Sequence, residues 1–273
     1  MSIHKLVLPI AGLGTRFLPV TKVMPKEMLP IQGKPIVQLL VEEAYKAGIT
    51  EVIFVINKEK EAIIKDYFKH ETPTSRKIKA KGKEKALEEL NHLIHSIKFH
   101  YVIQHQQKGD GHAVLQAAGL IEDGEPFAVM FGDDIVIPRR KTDKSALKQL
   151  IDTYNSTKAP VIALEKIPRS KTDQYGIVKP KSQKPPVFDI ESLVEKPKPA
   201  KAPSTLGIIG KYVVTHEIFA HLKKIKKGSA GEIRLIDGFK SMLKTQKITG
   251  LQIKGKRYDT GTLDGYKKAI SEN

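Results

Sequence analysis

Directly behind the first apolar run, KLVLPI (5–10), the chain reads Ala11-Gly12-Leu13-Gly14-Thr15-Arg16, with Lys22 and Lys26 following. Gly12 and Gly14 let a backbone approach a ligand and aim N–H groups at an anion. Arg16, Lys22 and Lys26 add positive charge. A glycine pair alone is more often a turn; set at the end of a first strand with cations behind it, this one points to a phosphate site. Two familiar phosphate motifs do not fit. The dinucleotide fingerprint needs a third glycine where Phe17 stands and an acidic residue where Gln32 stands, and the Gly-Lys-Ser/Thr of a P-loop is absent. Pro19, Pro25 and Pro30 oppose an immediate long helix, so an extended loop is expected. Two other polar groups close apolar runs. Asp133 and Asp134 end FAVMFGDD (127–134), and Glu195 and Lys196 end LVEKP (193–197). Side chains alternate along a strand, so Glu195 and Lys196 share a direction only where the strand ends or bulges; Pro197 favours an ending.

Such groups need a scaffold that delivers strand ends to one edge. KLVLPI (5–10), EVIFVIN (51–57), FHYVIQ (99–104), FAVMFGDD (127–134) and APVIALEKI (159–167) read as buried strands. PIVQLLVEEAYKAG (35–48) reads as a helix, with Pro35 at its start and Gly48 at its end. Further helices are expected over 58–68, 85–97, 111–121 and 145–154. The alternation implies a Rossmann-like α/β fold, with a mixed, mostly parallel central sheet flanked by helices. In such a sheet, ligands bind at the carboxyl ends of the strands. GIVKP (176–180), VFDIESLVEKP (187–197) and LGIIGKYVV (206–214) suggest a small antiparallel addition in the C-terminal half. Helices over 215–222 and 232–243, a strand over 248–255 and a helix after Gly261 complete the pattern. Residues 70–84 are polar and read as a mobile surface insertion.

Composition narrows the classes. The 273 residues are 40% hydrophobic and 28% charged, ordinary for a soluble globular protein. No apolar run approaches the ~20 residues of a membrane span, and the N-terminus lacks the pattern of a signal peptide. The absence of cysteine excludes disulfides, thiol catalysis and cysteine-bound metal, and is compatible with the cytoplasm. A net charge of +17 would suit a polyanionic partner. Yet the basic clusters RKIKAKGKEK (76–85) and KKIKK (223–227) lack interleaved aromatics for stacking bases. They are read as solvated surface, Lys227 included.

At higher specificity, AGLGTRFLPVTKVMPKEMLP (11–30) resembles the signature of sugar-1-phosphate nucleotidylyltransferases, and within them the uridylyl branch. QHQQKGDGHAV (104–114), FGDDIV (131–136), YGIVKP (175–180), LVEKP (193–197), GIIGKYVVT (207–215), GEIRLID (231–237) and KGKRYDTGTLDGY (254–266) follow in that family's order and spacing. The resemblance implies a single nucleotidylyltransferase domain over 1–273. It implies that glucose 1-phosphate attacks the α-phosphorus of UTP, giving UDP-glucose and pyrophosphate with Mg²⁺ assisting. A cytoplasmic homo-oligomer, dimer or tetramer, is expected, with neither nucleic acid nor membrane as partner.

Residue by residue, the resemblance places Ala11, Gly12 and Gly14 around the nucleotide, Arg16 on the triphosphate and Lys26 at the reacting phosphates. Glu27 serves nucleotide contacts or loop order. Gln104 reads the uracil edge, its amide offering both donor and acceptor, and Gly111 lets the backbone approach the base. His112 either joins them or simply begins a helix. Gly176 and Glu195 meet the sugar, Lys196 its phosphate. Asp133 and Asp259 are the metal ligands, two hard oxygens suited to Mg²⁺; Asp134 either shares that edge or turns away to cap the loop. Three positions depart from the family pattern. Asp110 stands where an apolar residue is usual and is expected to face solvent. Arg234 and Ile236 replace glutamine and threonine on the sugar side. Rival readings are a dTTP or CTP enzyme, one using galactose 1-phosphate, a basic nucleic-acid-binding protein, and an inactive sugar-nucleotide sensor. A sensor would be expected to have lost Lys26, Asp133 or Lys196, and all are present.

Overall fold

The computed structural model describes residues 2–140, 142–181, 185–225 and 231–272. Lys226 and Lys227 of the second basic cluster lie outside the described residues. The strands are β1 (Lys5–Pro9), β2 (Pro30–Ile31), β3 (Lys34–Pro35), β4 (Glu51–Ile56), β5 (Lys98–Ile103), β6 (Pro126–Met130), β7 (Asp134–Ile137), β8 (Val161–Lys166), β9 (Gly176–Pro180), β10 (Val187–Glu195), β11 (Leu206–Thr215), β12 (Thr249–Gln252) and β13 (Lys256–Asp259). The α-helices are α1 (Ile36–Ala47), α2 (Glu61–Tyr67), α3 (Pro73–Ala80), α4 (Glu88–Ser96), α5 (Asp110–Gln116), α6 (Ala146–Thr157), α7 (Ile218–Lys223), α8 (Leu235–Met242) and α9 (Leu263–Ser271). No helix among the described residues is long and apolar enough to cross a membrane.

The period-2 alternation of the apolar runs builds two cores, one on each face of the sheet. Leu6, Leu8, Val52, Phe54 and Ile56 pack with α1, α4 and α6 on one face. Val7, Ile53, Val55, Phe127 and Val129 pack with α5, α7 and α8 on the other. The sheet order is β5-β4-β1-β6-β11-β8-β12-β10-β9. Parallel pairing joins β5, β4, β1 and β6, and also β8 and β12. Only β10 and β11 oppose the common direction. The sheet is therefore mixed and mostly parallel, as expected. However, β11 is no edge addition. It lies between β6 and β8 and is buried along most of its length, as its apolar sequence requires.

α1 begins after Pro35 and ends at Gly48, whose φ of 100° closes the last turn in the left-handed region. Three expectations need correction. Residues 70–84 contain α3, nucleated by a reciprocal cap in which Thr72 and Ser75 exchange side-chain and backbone hydrogen bonds. None of its residues is buried, so no apolar stripe announced it. The run 127–134 breaks after Met130; a turn at Gly132 and Asp133 separates β6 from β7. The last expected strand stops at Gln252, and residues 256–259 leave the main sheet to pair antiparallel with β7.

Candidate active site

The chain leaving the carboxyl ends of β1, β5 and β6 surrounds a cleft of about 410 Å³, lined by Ala11, Gly12, Lys26, Glu27, Gln104 and Asp133 among others. A second hollow of about 260 Å³ adjoins it and takes in Arg16, Gly176, Glu195, Lys196 and Asp259. Asp110, Phe131 and Asp133 line both. Of the residues expected at the site, Gly14 and Gly111 line neither, and nor does Lys22 of the opening loop.

The opening loop is extended and interrupted by single 3₁₀ turns at 15–17, 20–22 and 26–28. Gly12 is open on its side-chain side, with nothing within 4 Å of where a Cβ would stand. Gly14 is needed for a different reason. Its φ is +69°, and a Cβ there would press on Thr21 at 3.1 Å and on the Lys26 stem at 3.3 Å. Gly111 is bare for a packing reason as well. A Cβ on it would meet the carbonyl carbon of Arg234 at 2.6 Å and the nitrogen of Leu235 at 2.7 Å, so its bareness admits the start of α8. Asp110 is exposed, as expected, on the wall shared by the two hollows, and its Oδ1 accepts the Leu235 N–H at 2.8 Å. Gln104 is buried and reaches Nδ1 of His112 at 2.9 Å. Burial lowers the pKa of His112 and keeps the ring neutral beside that amide. His112 therefore begins a helix and orients Gln104 as well.

Lys26 and the carboxylates meet at the junction of the two hollows. Lys26 Nζ lies 2.9 Å from Asp133 Oδ2. Burial pulls the lysine pKa down, but Asp133 and Glu27 outweigh it and hold the pKa above the ordinary lysine value. Burial likewise pushes Asp133 up, and Lys26, by charge and hydrogen bond, brings it below the usual carboxylate range. Asp259 arrives on the β7–β13 ribbon, opposite Asp134 in register, while Thr260 donates its N–H to the Asp133 carbonyl at 2.8 Å. The ribbon, rather than a strand of the main sheet, thus joins Asp259 to Asp133. Asp134 turns away: Oδ2 accepts the Gly210 N–H at 2.6 Å and Oδ1 pairs with Arg257.

A cation would suit this corner. Oxygens of Asp133 and Asp259 lie 2.7 and 3.1 Å from one point, the place a Cβ on Gly261 would take. Burial, then the charges of Asp134 and Asp133, push the Asp259 carboxyl up, a repulsion that a cation between the two carboxylates would relieve. Among the described residues no group of three or more His, Cys, Asp or Glu could hold a metal. An ion here would draw its other ligands from phosphate and water, as Mg²⁺ commonly does.

At the second hollow, β10 stops at Glu195, and Lys196 takes a left-handed φ of 46°. That turn lets two consecutive side chains line one hollow. Glu195 Oε1 accepts from Arg234 Nη1 at 3.0 Å, so Arg234 fixes the carboxylate that faces the hollow. Gly176 pairs with Glu195 across the β9–β10 ladder, and a Cβ there would meet Ile236 Cδ1 at 2.8 Å. Both departing residues, Arg234 and Ile236, belong to this wall. Arg16 spans from the opening loop to the far end of the sequence, donating to the Gly261 carbonyl at 3.2 Å. Sequence reasoning missed Arg257 and Tyr175, joined at 3.2 Å in the wall of the second hollow, Gln107 in the wall of the first, and Asn57 and Lys60 behind the opening loop. The RYDTG motif contained one of them; nothing in the NKEKEA run marked Lys60.

The Nucleotidyl transferase family model matches residues 5–273. A UTP–glucose-1-phosphate uridylyltransferase of Staphylococcus epidermidis is 43% identical over 271 residues, covering 99% of this chain and 92% of the relative. One from Bacillus subtilis is 42% identical over 265 residues, 97% and 89% of the two chains. Among solved structures, a UDP-glucose pyrophosphorylase complexed with UDP-glucose superposes with a TM-score of 0.90 at 38% identity, covering 99% and 98%. A UTP-bound enzyme from Acinetobacter baumannii gives 0.90 at 33% identity, covering 99% and 93%. With the family model matched along almost its whole length, this chain belongs to the nucleotidyl transferase family.

Proposed function

We propose that the chain transfers the uridylyl group of UTP to glucose 1-phosphate, releasing pyrophosphate and forming UDP-glucose. The observation that carries this reading is the pair of adjoining hollows that share Asp133, with Lys26 at their junction and cationic side chains on both sides. A sugar phosphate with a second pKa of about 6 is already ionised near neutral pH, so no strong general base is required. Its oxygen bonds to the α-phosphorus while the bond from that phosphorus to the bridging oxygen of the β-phosphate breaks. The task is to hold two anions in line and to neutralise the departing pyrophosphate.

Ala11 and Gly12 meet the nucleotide through backbone N–H groups, and Gln104 reads the uracil edge from its seat on His112. Arg16 and Lys26 hold the triphosphate, Lys26 exchanging Asp133 for phosphate oxygen. Glu27 keeps the loop in order beneath them. Gly176 and Glu195 receive the sugar and Lys196 its phosphate. Asp133 and Asp259 would hold Mg²⁺, which when bound supplies charge neutralisation and a template for the α-phosphoryl group. The reading includes a single domain over 1–273, a cytoplasmic setting and a dimer or tetramer of identical chains.

A matrix of nucleoside triphosphates against sugar 1-phosphates, scored by pyrophosphate release, tests it. UTP with glucose 1-phosphate is expected to give the highest kcat/KM. A tenfold advantage for dTTP, CTP or galactose 1-phosphate would refute the assignment.

Lys196→Ala is expected to raise KM for glucose 1-phosphate about 10- to 100-fold, the size of one charge-assisted hydrogen bond, with KM for UTP little changed. Equal losses for both substrates would remove Lys196 from the sugar site. Lys58→Ala is the control: its side chain is 78% exposed and, among the described residues, forms an ion pair only with Glu61.

A further inference from the structure

Behind the opening loop lies a charged group that the chemistry above does not use. Lys60 is 5% exposed, although it belongs to a run of surface lysines and glutamates. Its Nζ donates to the Ile10 carbonyl at 2.7 Å and to Glu27 Oε2 at 2.7 Å. Next to it, Asn57 Nδ2 donates to the Ala11 carbonyl at 2.9 Å, and Gln107 Nε2 reaches the same oxygen at 3.1 Å. The Asn57 side chain also accepts the Lys60 N–H, which fixes the two residues to each other.

In a trans peptide the carbonyl and the following N–H point in opposite directions. Anchoring the Ile10 and Ala11 carbonyls inside the protein therefore turns the N–H groups of Ala11 and Gly12 the other way, toward the cleft these residues line. Among the described residues neither N–H donates a hydrogen bond within the chain, so both remain available to a ligand. Glu27 adds a second demand. It is 1% exposed, and its Oε1 has no hydrogen-bond partner among the described residues. Without a counter-charge on Oε2, a bare carboxylate would stand beside Lys26, where phosphate must bind.

We infer that Lys60 is a positioning residue for the triphosphate: it sets the peptide plane that presents the Ala11 N–H and neutralises Glu27, leaving Lys26 free for phosphate. Asn57 performs the first task one residue further along. The inference rests on the proposed nucleotide chemistry of this cleft. It differs from a stabilising role because buried ion pairs contribute little net stability: removing both partners is often neutral, whereas removing one strands a charge.

The test is Lys60→Met together with Lys60→Met/Glu27→Gln. The double variant keeps the fold available if the single one fails, and thermal unfolding verifies it. UTP binding is read by titration calorimetry and glucose 1-phosphate use by initial rates, with Glu27→Gln and Lys58→Ala alongside. The double variant is expected to bind UTP about 10- to 100-fold more weakly, by analogy with the loss on removing the hydrogen-bond partners that orient metal ligands. KM for glucose 1-phosphate should remain within about threefold. Glu27→Gln alone, which leaves Lys60 on the Ile10 carbonyl, should lose much less, and Lys58→Ala nothing. UTP affinity in the folded double variant equal to that of Glu27→Gln overturns the inference, as does an equal loss for both substrates. A wild-type chain that binds UTP but makes no UDP-glucose would instead count against the proposed function, with the Lys60 comparison still read from binding.

Discussion

Asp133→Asn and Asp259→Asn are each expected to lower kcat by about 10²–10³, the loss typical of removing one preorganised electrostatic group from a transition state. Both substitutions are close in shape. Asp259 Oδ1 accepts the Gly261 N–H at 3.1 Å, a bond that an asparagine oxygen retains, so the fold should survive. Because the two carboxylates would serve one ion, the double variant should lose far less than the product of the single losses. Electron paramagnetic resonance of Mn²⁺ in the presence of UTP gives a second reading, and both variants should bind the ion more weakly. Asp134→Asn should behave differently. Its carboxylate holds Gly210 and Arg257 in place, so the main effect should be a lower Tm with a milder fall in kcat. Full magnesium-dependent activity in Asp133→Asn would end the two-carboxylate reading.

Lys26→Met should cost about 10³ in kcat, with smaller changes in either KM. The side chain is 16% exposed and stands between Asp133 and Glu27, so its ammonium is already desolvated and oriented before substrate arrives. A charge held there gains most as negative charge builds on the leaving group. Arginine should restore little, since its wider planar fork does not fit a place shaped for a compact ammonium. The pKa of Lys26 is raised, so the group stays protonated across neutral and mildly alkaline pH. Wild-type activity should therefore show no alkaline loss from this lysine near pH 9. A Lys26→Met variant with kcat within tenfold of wild type would place the residue outside the reacting phosphates.

Much of the scaffold was legible because apolar periodicity is a local property. The two-faced burial of β1 and β4 follows from unbroken apolar runs, and the limits of α1 from Pro35 and Gly48. What escaped had no local signal. α3 offers a single large apolar residue, Ile78, and is held by a cap. β13 is four residues long and pairs with a strand more than a hundred positions earlier. The site shows the same division. Glu195 and Lys196 were readable as neighbours facing one way because Pro197 ends the strand. Gly111 was not, for its neighbour in space is the start of α8, which no spacing along the chain reveals. Lys60 looks like any surface lysine until the fold closes over it.

The ribbon that carries Asp259 also sets an order of assembly. β12 inserts between β8 and β10, and β13 delivers the second carboxylate only after that, while Arg16 waits for Gly261 to complete its bond. Contacts of such long sequence separation form late, because the loop between the partners must be closed first. The first cleft, carried on β1, β4, β5 and β6, can therefore form before the second carboxylate joins it. Catalytic competence depends on a carboxylate far along the chain from β1, which makes activity itself a reporter that the whole sheet has closed.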